Sequence, residues 1–273
     1  MRLRSLLFVP ADRPERFGKA AASGADAIIL DLEDSVAPDA KDAARAAVAA
    51  ALIAPAAVTR FVRINPVDAG MLDADIAAAR GADGLILPKA EGKDSVLRLI
   101  EAWGDACPPI LPIATETPAA LFRLGDYAPV AGRLCGLTWG AEDLSAAIGA
   151  DTVREADGRY TPPYETARAL ALFAAHAAGV PAIETVFPAL DDDAGLAAYA
   201  ARGARDGFTG MLALHPRQVA AINAAFTPSD AAVADARRLL EAARAAGQGA
   251  FRYEGRMIDA PHLNLARALL ARA

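Results

Sequence analysis

Short apolar runs recur at fairly even intervals along the chain, and polar stretches separate them. Because their apolar positions are continuous rather than alternating, the runs are typical of strands buried on both faces, as in a parallel sheet. Stretches with helix start and stop signals lie between them, such as EGKDSVLRLIEAWG. The pattern predicts repeated β-α units. The eight runs are RSLLFVP (4–10), DAIILDLED (26–34), TRFVRINP (59–66), DGLILPKAE (83–91), PILPIATET (109–117), RLCGLTWGAED (133–143), PAIETVFP (181–188) and GFTGMLALHP (207–216).

The number of units distinguishes between two α/β architectures. Eight units in about 225 residues match a (β/α)8 TIM barrel, whereas an open doubly wound sheet has fewer strands and a Gly-rich first turn that this chain lacks. An Ala-rich helical stretch, from about 217 to 247, and the segment after it exceed what a barrel needs. We expect a catalytic barrel domain over 1–225 and a C-terminal helical extension and lid over 226–273.

Composition narrows the classes of partner and metal. A net charge of −6 and a pI near 5.2 argue against a nucleic-acid partner. No apolar run is long enough to span a bilayer, and the N-terminal segment becomes charged too soon for a signal peptide, so we expect a cytoplasmic protein without membrane association. Cys107 and Cys135 lack metal-ligand spacing and the three histidines do not cluster, which disfavours zinc and favours a hard cation on carboxylates.

Polar residues follow the apolar runs where a barrel carries its chemistry, at the carboxyl ends of its strands. Two carboxylates that converge from adjacent strands repel unless a cation neutralises them, and Mg²⁺ takes one or two protein carboxylates. Glu116 and Asp143 are the natural pair, although either could instead pair with Arg63 or cap a helix. The strand-end residues are Asp31, Glu33, Asp34, Arg63, Asn65, Lys89, Glu91, Glu116, Glu142, Asp143, Glu184 and His215.

Four of these residues have alternative interpretations. The fork of Arg63 fits substrate carboxylate or thioester oxygens, and equally a buried ion pair with Glu33 or Asp34. Glu33 and Asp34 could orient metal-bound waters, but Asp34 more simply caps the following turn. His215 precedes Pro216, so it could act in proton transfer or shape the backbone near a ligand, and we assign it no proton transfer.

Several motifs occur together and in a fixed order: LLFVP, GADAIILDLEDSV, VRIN, GADGLILPKAE, ATETP, LTWGAEDLSAAIG and ALHPRQ. From residue 4 to about 268 the chain resembles the citrate lyase beta-subunit family of CoA-ester lyases, grouped with the HpcH/HpaI aldolases of the phosphoenolpyruvate-binding barrels. The resemblance implies Mg²⁺-dependent cleavage or formation of a 3-hydroxyacyl-CoA, such as malyl-CoA or citramalyl-CoA, with an oxo acid and acetyl-CoA as the other partners. Mn²⁺ is the alternative metal.

The resemblance also implies roles for individual residues at the barrel mouth. Glu116 and Asp143 match the family's metal ligands, and Glu116 also contacts substrate. Arg63 matches a catalytic, substrate-binding arginine.

Further positions match the family's contacts with coenzyme A. Phe8, Lys19, Leu214 and His215 correspond to residues along the CoA chain. The chain departs from the family at Met211, where a lysine is usual, which puts a contact to the nucleotide end of CoA in doubt.

The tail segment GRMIDAPH resembles a lid that reaches the active site of a neighbouring subunit. There Asp259 matches an aspartate that serves as catalytic acid or base, whereas the residues alone favour a helix cap. The apolar tail and the family both imply a homo-oligomer, a trimer or a hexamer. Two alternative functions stay open: a CoA-independent class II pyruvate aldolase, and a citrate lyase beta subunit acting on an acyl carrier protein thioester.

Overall fold

Eight parallel strands form one sheet in the computed structural model, which describes residues 2–247 and 249–273. Neighbours in the sheet follow the order β5-β4-β3-β2-β1-β8-β7-β6. The strands are β1 Ser5–Pro10, β2 Ala27–Asp31, β3 Thr59–Arg63, β4 Gly84–Leu87, β5 Ile110–Pro112, β6 Leu137–Thr138, β7 Ala182–Glu184 and β8 Gly210–Ala213.

The two edge strands, β5 and β6, are joined by parallel bridges that nearly close the sheet. Ile110 pairs with Leu134 and Ile113 with Thr138. The N–H of Ala114 donates to the carbonyl of Thr138 at 2.9 Å. The predicted (β/α)8 barrel is therefore confirmed.

Large aliphatic side chains and one aromatic ring fill the barrel interior. Phe61 is fully buried there, and Gly84 on the adjacent strand makes room for it, because a Cβ at position 84 would lie 2.3 Å from the Phe61 ring. A filled interior leaves no channel, so a ligand site has to lie at the barrel mouth. The interior cluster comprises Leu3, Leu6, Ala27, Ile29, Phe61, Ile86, Leu111, Ile113, Ile183 and Leu212.

Helices cover the outside of the strands, each burying an apolar stripe. In α4, which spans Lys93–Trp103, the buried residues Val96, Leu99 and Trp103 recur at helical spacing. Of the described helices none is long and apolar enough to cross a membrane. The other helices up to residue 225 are α1 Phe17–Ala21, α2 Lys41–Ile53, α3 Leu72–Ala79, α5 Pro118–Leu121, α6 Glu142–Ile148, α7 Pro162–Ala178, α8 Asp193–Asp206 and α9 Pro216–Ala225.

The chain divides into two compact units, of which the first ends at Asn223 and the second is Ala224–Ala273. The helical stretch expected from about 217 to 247 consists of two helices, α9 and α10, with a break between them. The second of them, α10, spans Asp230–Ala246 and begins shortly after Pro228. Ser229 is its N-cap, and the Ser229 hydroxyl accepts a hydrogen bond from the N–H of Ala232.

The second unit also contains the strands β9 Phe251–Tyr253 and β10 Arg256–Ile258 and the helix α11 Ala260–Leu270. The two strands pair antiparallel as a hairpin. The proposed domains, 1–225 and 226–273, divide close to the observed boundary, and their assignment as separate domains stays a prediction.

Candidate active site

A cavity of about 250 Å³ opens among residues that follow the carboxyl ends of the strands. Glu116, Asp143 and Arg63 all line it, together with Asp31. Apolar walls come from Phe8, Ile113, Trp139, Val186, Leu212 and Leu214. The structure therefore brings the two predicted metal carboxylates and the predicted substrate arginine to one cavity.

Glu116 is nearly inaccessible to solvent, at 4% exposure. Its Oε2 accepts a hydrogen bond of 2.6 Å from the backbone N–H of Lys89. Burial, together with the nearby charges of Asp143 and Glu33, raises the pKa of Glu116 to about 8, although the hydrogen bond from Lys89 lowers it. A cation bound beside Glu116 would offset the repulsion between its carboxylate and those of Asp143 and Glu33.

The donor chemistry of the two carboxylates fits a hard divalent cation. Within the described residues, Glu116 Oε1 and Asp143 Oδ2 accept no hydrogen bond, so each carboxylate keeps one oxygen for a ligand. Among the described residues, no group of three or more His, Cys, Asp or Glu side chains is arranged so that it could hold a metal ion. A metal here would have two protein oxygens and take the rest from water and substrate, as Mg²⁺ commonly does.

The loop between β6 and α6 passes very close to Glu116. A Cβ at Gly140 would lie 3.0 Å from Glu116 Cγ and 3.2 Å from its Oε1. The Thr115 hydroxyl fixes the loop by donating to the carbonyl of Gly140 and accepting from its N–H, both at 3.0 Å. The glycine of the WGAED motif is therefore required for space beside the carboxylate.

Arg63 is held in a network of buried carboxylates. Its Nε and Nη2 donate to the two oxygens of Asp31, each at 2.6 Å, and its Nη1 lies 2.6 Å from Glu33 Oε2. Burial opposes ionisation of Asp31, but the hydrogen bonds and charge of Arg63 outweigh it and lower the pKa of that carboxyl. The ion-pair interpretation of Arg63 thus holds with Asp31 and Glu33, not with Asp34. A guanidinium has five donors, so Arg63 still has N–H groups for a ligand in the cavity.

Lys89 is the site residue that sequence reasoning missed, although it appeared among the strand-end residues. Its ammonium lies 2.6 Å from Glu33 Oε1 and 3.1 Å from Asp143 Oδ1. Burial lowers the pKa of Lys89, but Glu33 and then Asp143 raise it above its usual range, so the side chain stays charged. Its φ of 49° is in the left-handed region, which is rare for a residue with a side chain.

Neighbouring side chains secure the loop that contains Lys89. The Tyr127 hydroxyl accepts from the N–H of Gly92 at 3.2 Å and donates to the carbonyl of Ala90 at 3.1 Å. Unfavourable backbone angles at functional sites persist where such surrounding contacts hold them.

A second cavity, of about 340 Å³, contains all four residues that were predicted to contact CoA. Phe8, Lys19, Leu214 and His215 line it, and Arg16 adds another cation. Phe8 and Leu214 also line the first cavity, so the two adjoin. His215 Nδ1 accepts from the N–H of Arg217 at 3.2 Å, which is the backbone-shaping contact.

Four other residues singled out in the sequence line neither cavity. Glu184 is fully buried and accepts from Trp139 Nε1 at 2.5 Å and Arg168 Nε at 2.7 Å, so it supports the tryptophan that walls the first cavity. Met211 is also fully buried and lines neither cavity. Asn65 accepts a hydrogen bond from Lys41 Nζ, and Glu91 accepts one from the Thr117 hydroxyl.

Asp259 lies in the second unit, immediately before α11. Its carboxylate is 2.5 Å from His262 Nδ1, and its backbone N–H donates to the same nitrogen at 3.4 Å. The position has the helix-capping geometry that the residues alone favour. The role of Asp259 in a lid stays a prediction.

Known proteins resemble the chain over nearly its whole length. Residues 4–216 match the sequence model of the HpcH/HpaI aldolase/citrate lyase family. A citrate lyase subunit beta-like protein of Mycobacterium tuberculosis is 39% identical over 98% of this chain and 94% of its own. An L-malyl-CoA/beta-methylmalyl-CoA lyase of Cereibacter sphaeroides is 34% identical over 99% and 94%. The structure of M. tuberculosis CitE with magnesium, acetoacetate and coenzyme A superposes with a TM-score of 0.85, at 37% identity, over 99% of this chain and 98% of that one.

Proposed function

Because the chain belongs to the HpcH/HpaI aldolase/citrate lyase family, we propose that it is a Mg²⁺-dependent carbon–carbon lyase acting on a CoA ester. The substrate is a 3-hydroxyacyl-CoA such as malyl-CoA or citramalyl-CoA, and the products are an oxo acid and acetyl-CoA. One observation carries the proposal: an acidic cavity with Glu116, Asp143 and Arg63 adjoins a second cavity with the four predicted CoA contacts. The similarity to a malyl-CoA lyase and to a structure with magnesium and coenzyme A supports it.

Glu116 and Asp143 would hold the metal, with Mn²⁺ as the alternative ion. When bound, Mg²⁺ supplies a Lewis acid for the hydroxyl or carbonyl oxygen of the oxo-acid half of the substrate. The oxygens of these two side chains that accept no hydrogen bond are the ones available for it. Phe8, Lys19, Leu214 and His215 would bind the CoA chain in the adjoining cavity.

Arg63 would bind the thioester carbonyl oxygen. In the cleavage direction the hydroxyl loses its proton, the carbon–carbon bond breaks, and its electron pair passes into the thioester as an enolate, which a proton then converts to acetyl-CoA. Negative charge therefore develops on the thioester oxygen, where a cation fixed in advance by Asp31 and Glu33 stabilises the transition state.

Asp259 would be the acid or base that takes the hydroxyl proton, acting across a subunit boundary in a trimer or hexamer. Light scattering of the purified protein gives the oligomeric state, and a monomer would contradict this role. Mixing an inactive Arg63 variant with an inactive Asp259 variant tests the cross-subunit arrangement directly, because mixed oligomers would regain activity only if one site draws on two chains. A cytoplasmic location stays a prediction, to be checked by cell fractionation.

Steady-state assays of malyl-CoA and citramalyl-CoA, with and without EDTA, test the proposed function. We expect turnover that EDTA abolishes and Mg²⁺ restores. Activity on a 2-keto-diol with none on CoA esters would favour the class II pyruvate aldolase. Turnover only of a thioester on acyl carrier protein would favour a citrate lyase beta subunit, the alternative that the citrate lyase-like relative supports.

A further inference from the structure

The ammonium group of Lys89 lies beside Asp143, one of the two candidate metal ligands. Lys89 Nζ lies 3.1 Å from Asp143 Oδ1 and 2.6 Å from Glu33 Oε1, and a third carboxylate, Asp34, is 3.8 Å away. Within the described residues, Asp143 has no other cationic partner. The side chain of Lys89 is therefore the counter-charge of Asp143.

Two independent contacts keep Lys89 in this place. Glu33 is 2% exposed and also pairs with Arg63, so the Lys89–Glu33 contact does not depend on Asp143. On the backbone side, the N–H of Lys89 donates to Glu116. A cation that replaces the ammonium at Asp143 thus leaves Lys89 anchored nearby, where its charge still acts on the incoming ion.

We propose that Lys89 is a positioning residue that sets the affinity of the site for Mg²⁺, by acting as a built-in cation that the metal must displace from Asp143. The inference rests on the proposed function, because it takes Glu116 and Asp143 as the metal ligands. A fixed positive charge a few ångströms away repels an incoming divalent cation and competes with it for Asp143, so it weakens binding of the metal. The site then loads according to the free Mg²⁺ concentration rather than holding the metal permanently.

The test is the dissociation constant of Mg²⁺, measured by isothermal titration calorimetry on the substrate-free, full-length protein. Lys89→Met removes the ammonium and keeps the length of the stem, and we expect Mg²⁺ to bind it about tenfold or more tightly than the wild type. Lys89→Gly removes the same charge and also relieves the left-handed backbone, so it should show the same tightening. Lys89→Arg keeps the charge and should show none.

Lys93→Met is the matched control. Lys93 lies just beyond the same loop, at the start of α4, and pairs only loosely with Asp94 at 3.9 Å. Its removal should leave Mg²⁺ affinity and turnover unchanged. Circular dichroism and melting temperature of each metal-free variant establish that it is folded before titration.

The outcomes separate this inference from the proposed function. If the wild type binds Mg²⁺ but folded Lys89→Met and Lys89→Gly bind it equally or more weakly, Lys89 only supports the carboxylates and the inference is overturned. If the wild type binds no Mg²⁺, the proposed metal site itself is overturned, and the inference with it.

Discussion

Arg63 binds Asp31 through two parallel hydrogen bonds of 2.6 Å, from Nε to Oδ1 and from Nη2 to Oδ2. The two residues are direct partners in the register of β2 and β3, so the sheet itself brings them together at the barrel mouth. Only a planar guanidinium can form such a pair and still present N–H groups to a cavity.

Arg63→Lys should therefore reduce activity although it keeps the charge. We expect kcat/KM to fall by about 100-fold, because an ammonium cannot satisfy Asp31 and stabilise the developing enolate together. The free energy of unfolding should fall by about 2 kcal/mol, since one oxygen of buried Asp31 loses its partner. Steady-state kinetics and urea unfolding measure the two effects.

Arg60→Lys is the control for this prediction. Arg60 lies on the same strand, near its opposite end, and donates to the carbonyls of Ala51 and Ala54. Its replacement should leave kcat/KM nearly unchanged. Equal activity losses in the two variants would show that Arg63 acts only through stability.

Removal of either metal carboxylate should abolish Mg²⁺ binding. Glu116→Gln keeps an oxygen for the Lys89 N–H, and Asp143→Asn is nearly isosteric, so both variants should fold and give no calorimetric response to Mg²⁺. Glu142→Gln is the control, because Glu142 lines the same cavity and precedes Asp143 in α6 but is not assigned to the metal. If Glu142→Gln lost binding and the other two kept it, the ligand assignment would be wrong.

The space beside Glu116 gives a prediction that does not touch a charge. Gly140→Ala places a methyl group 3.0 Å from Glu116 Cγ and pushes the carboxylate away, so we expect Mg²⁺ to bind about tenfold more weakly. Gly132→Ala has no heavy atom within 4 Å of the added methyl and should bind Mg²⁺ like the wild type. Calorimetric titration with Mg²⁺ measures both variants. Equal dissociation constants would mean that the β6–α6 loop shifts to accommodate the methyl group and Glu116 does not move.

If the second cavity binds CoA, a substitution there should change the KM for acetyl-CoA but not the KM for the oxo acid in the condensation direction. Lys19→Ala should raise the KM for acetyl-CoA several-fold and leave the KM for glyoxylate unchanged, because Lys19 lines only the second cavity. Arg13→Ala is the control, because Arg13 lies in the β1–α1 connection and does not line the second cavity, so both KM values should stay unchanged. A rise in the glyoxylate KM alone would place the CoA chain elsewhere.

The sequence was sufficient for the barrel because continuous apolar runs indicate strands buried on both faces. It also placed Glu116, Asp143 and Arg63 together, since all three follow strand ends and the carboxyl ends of a barrel's strands share one rim. The register of β2 and β3 is a tertiary property, however, and it decides that Arg63 pairs with Asp31 rather than Asp34.

Lys89 could not be recognised for a similar reason. No local pattern distinguishes a lysine whose backbone is held in the left-handed region by a distant glutamate. The break between α9 and α10 is different, because its signal was present: Pro228 and the N-cap Ser229 interrupt an Ala-rich stretch whose helix propensity alone suggests continuity.

The first strand is attached to the second through Asp26, which makes stability depend on pH. The Asp26 carboxylate accepts from the backbone N–H of Arg4 at 2.7 Å and from its Nη2 at 2.6 Å. Burial raises the pKa of Asp26, but these hydrogen bonds and the charge of Arg4 lower it more, so the folded pKa lies below the unfolded one. The stabilisation is therefore complete above the unfolded pKa, near 4, and is lost as the pH falls through the folded pKa.

Asp26→Asn should accordingly lower the free energy of unfolding by about 1 kcal/mol at pH 7, and by progressively less as the pH falls below about 4, where the wild type loses the same charge. Urea unfolding of both proteins at pH 7 and at the lowest pH where both still fold gives the two differences. Asp105→Asn, at an exposed aspartate in the α4–β5 connection, is the control and should leave the free energy of unfolding nearly unchanged at pH 7. If the Asp26→Asn difference stayed constant across that range, the pKa of Asp26 would be equal in the folded and unfolded states, and Arg4 would not favour the ionised carboxylate.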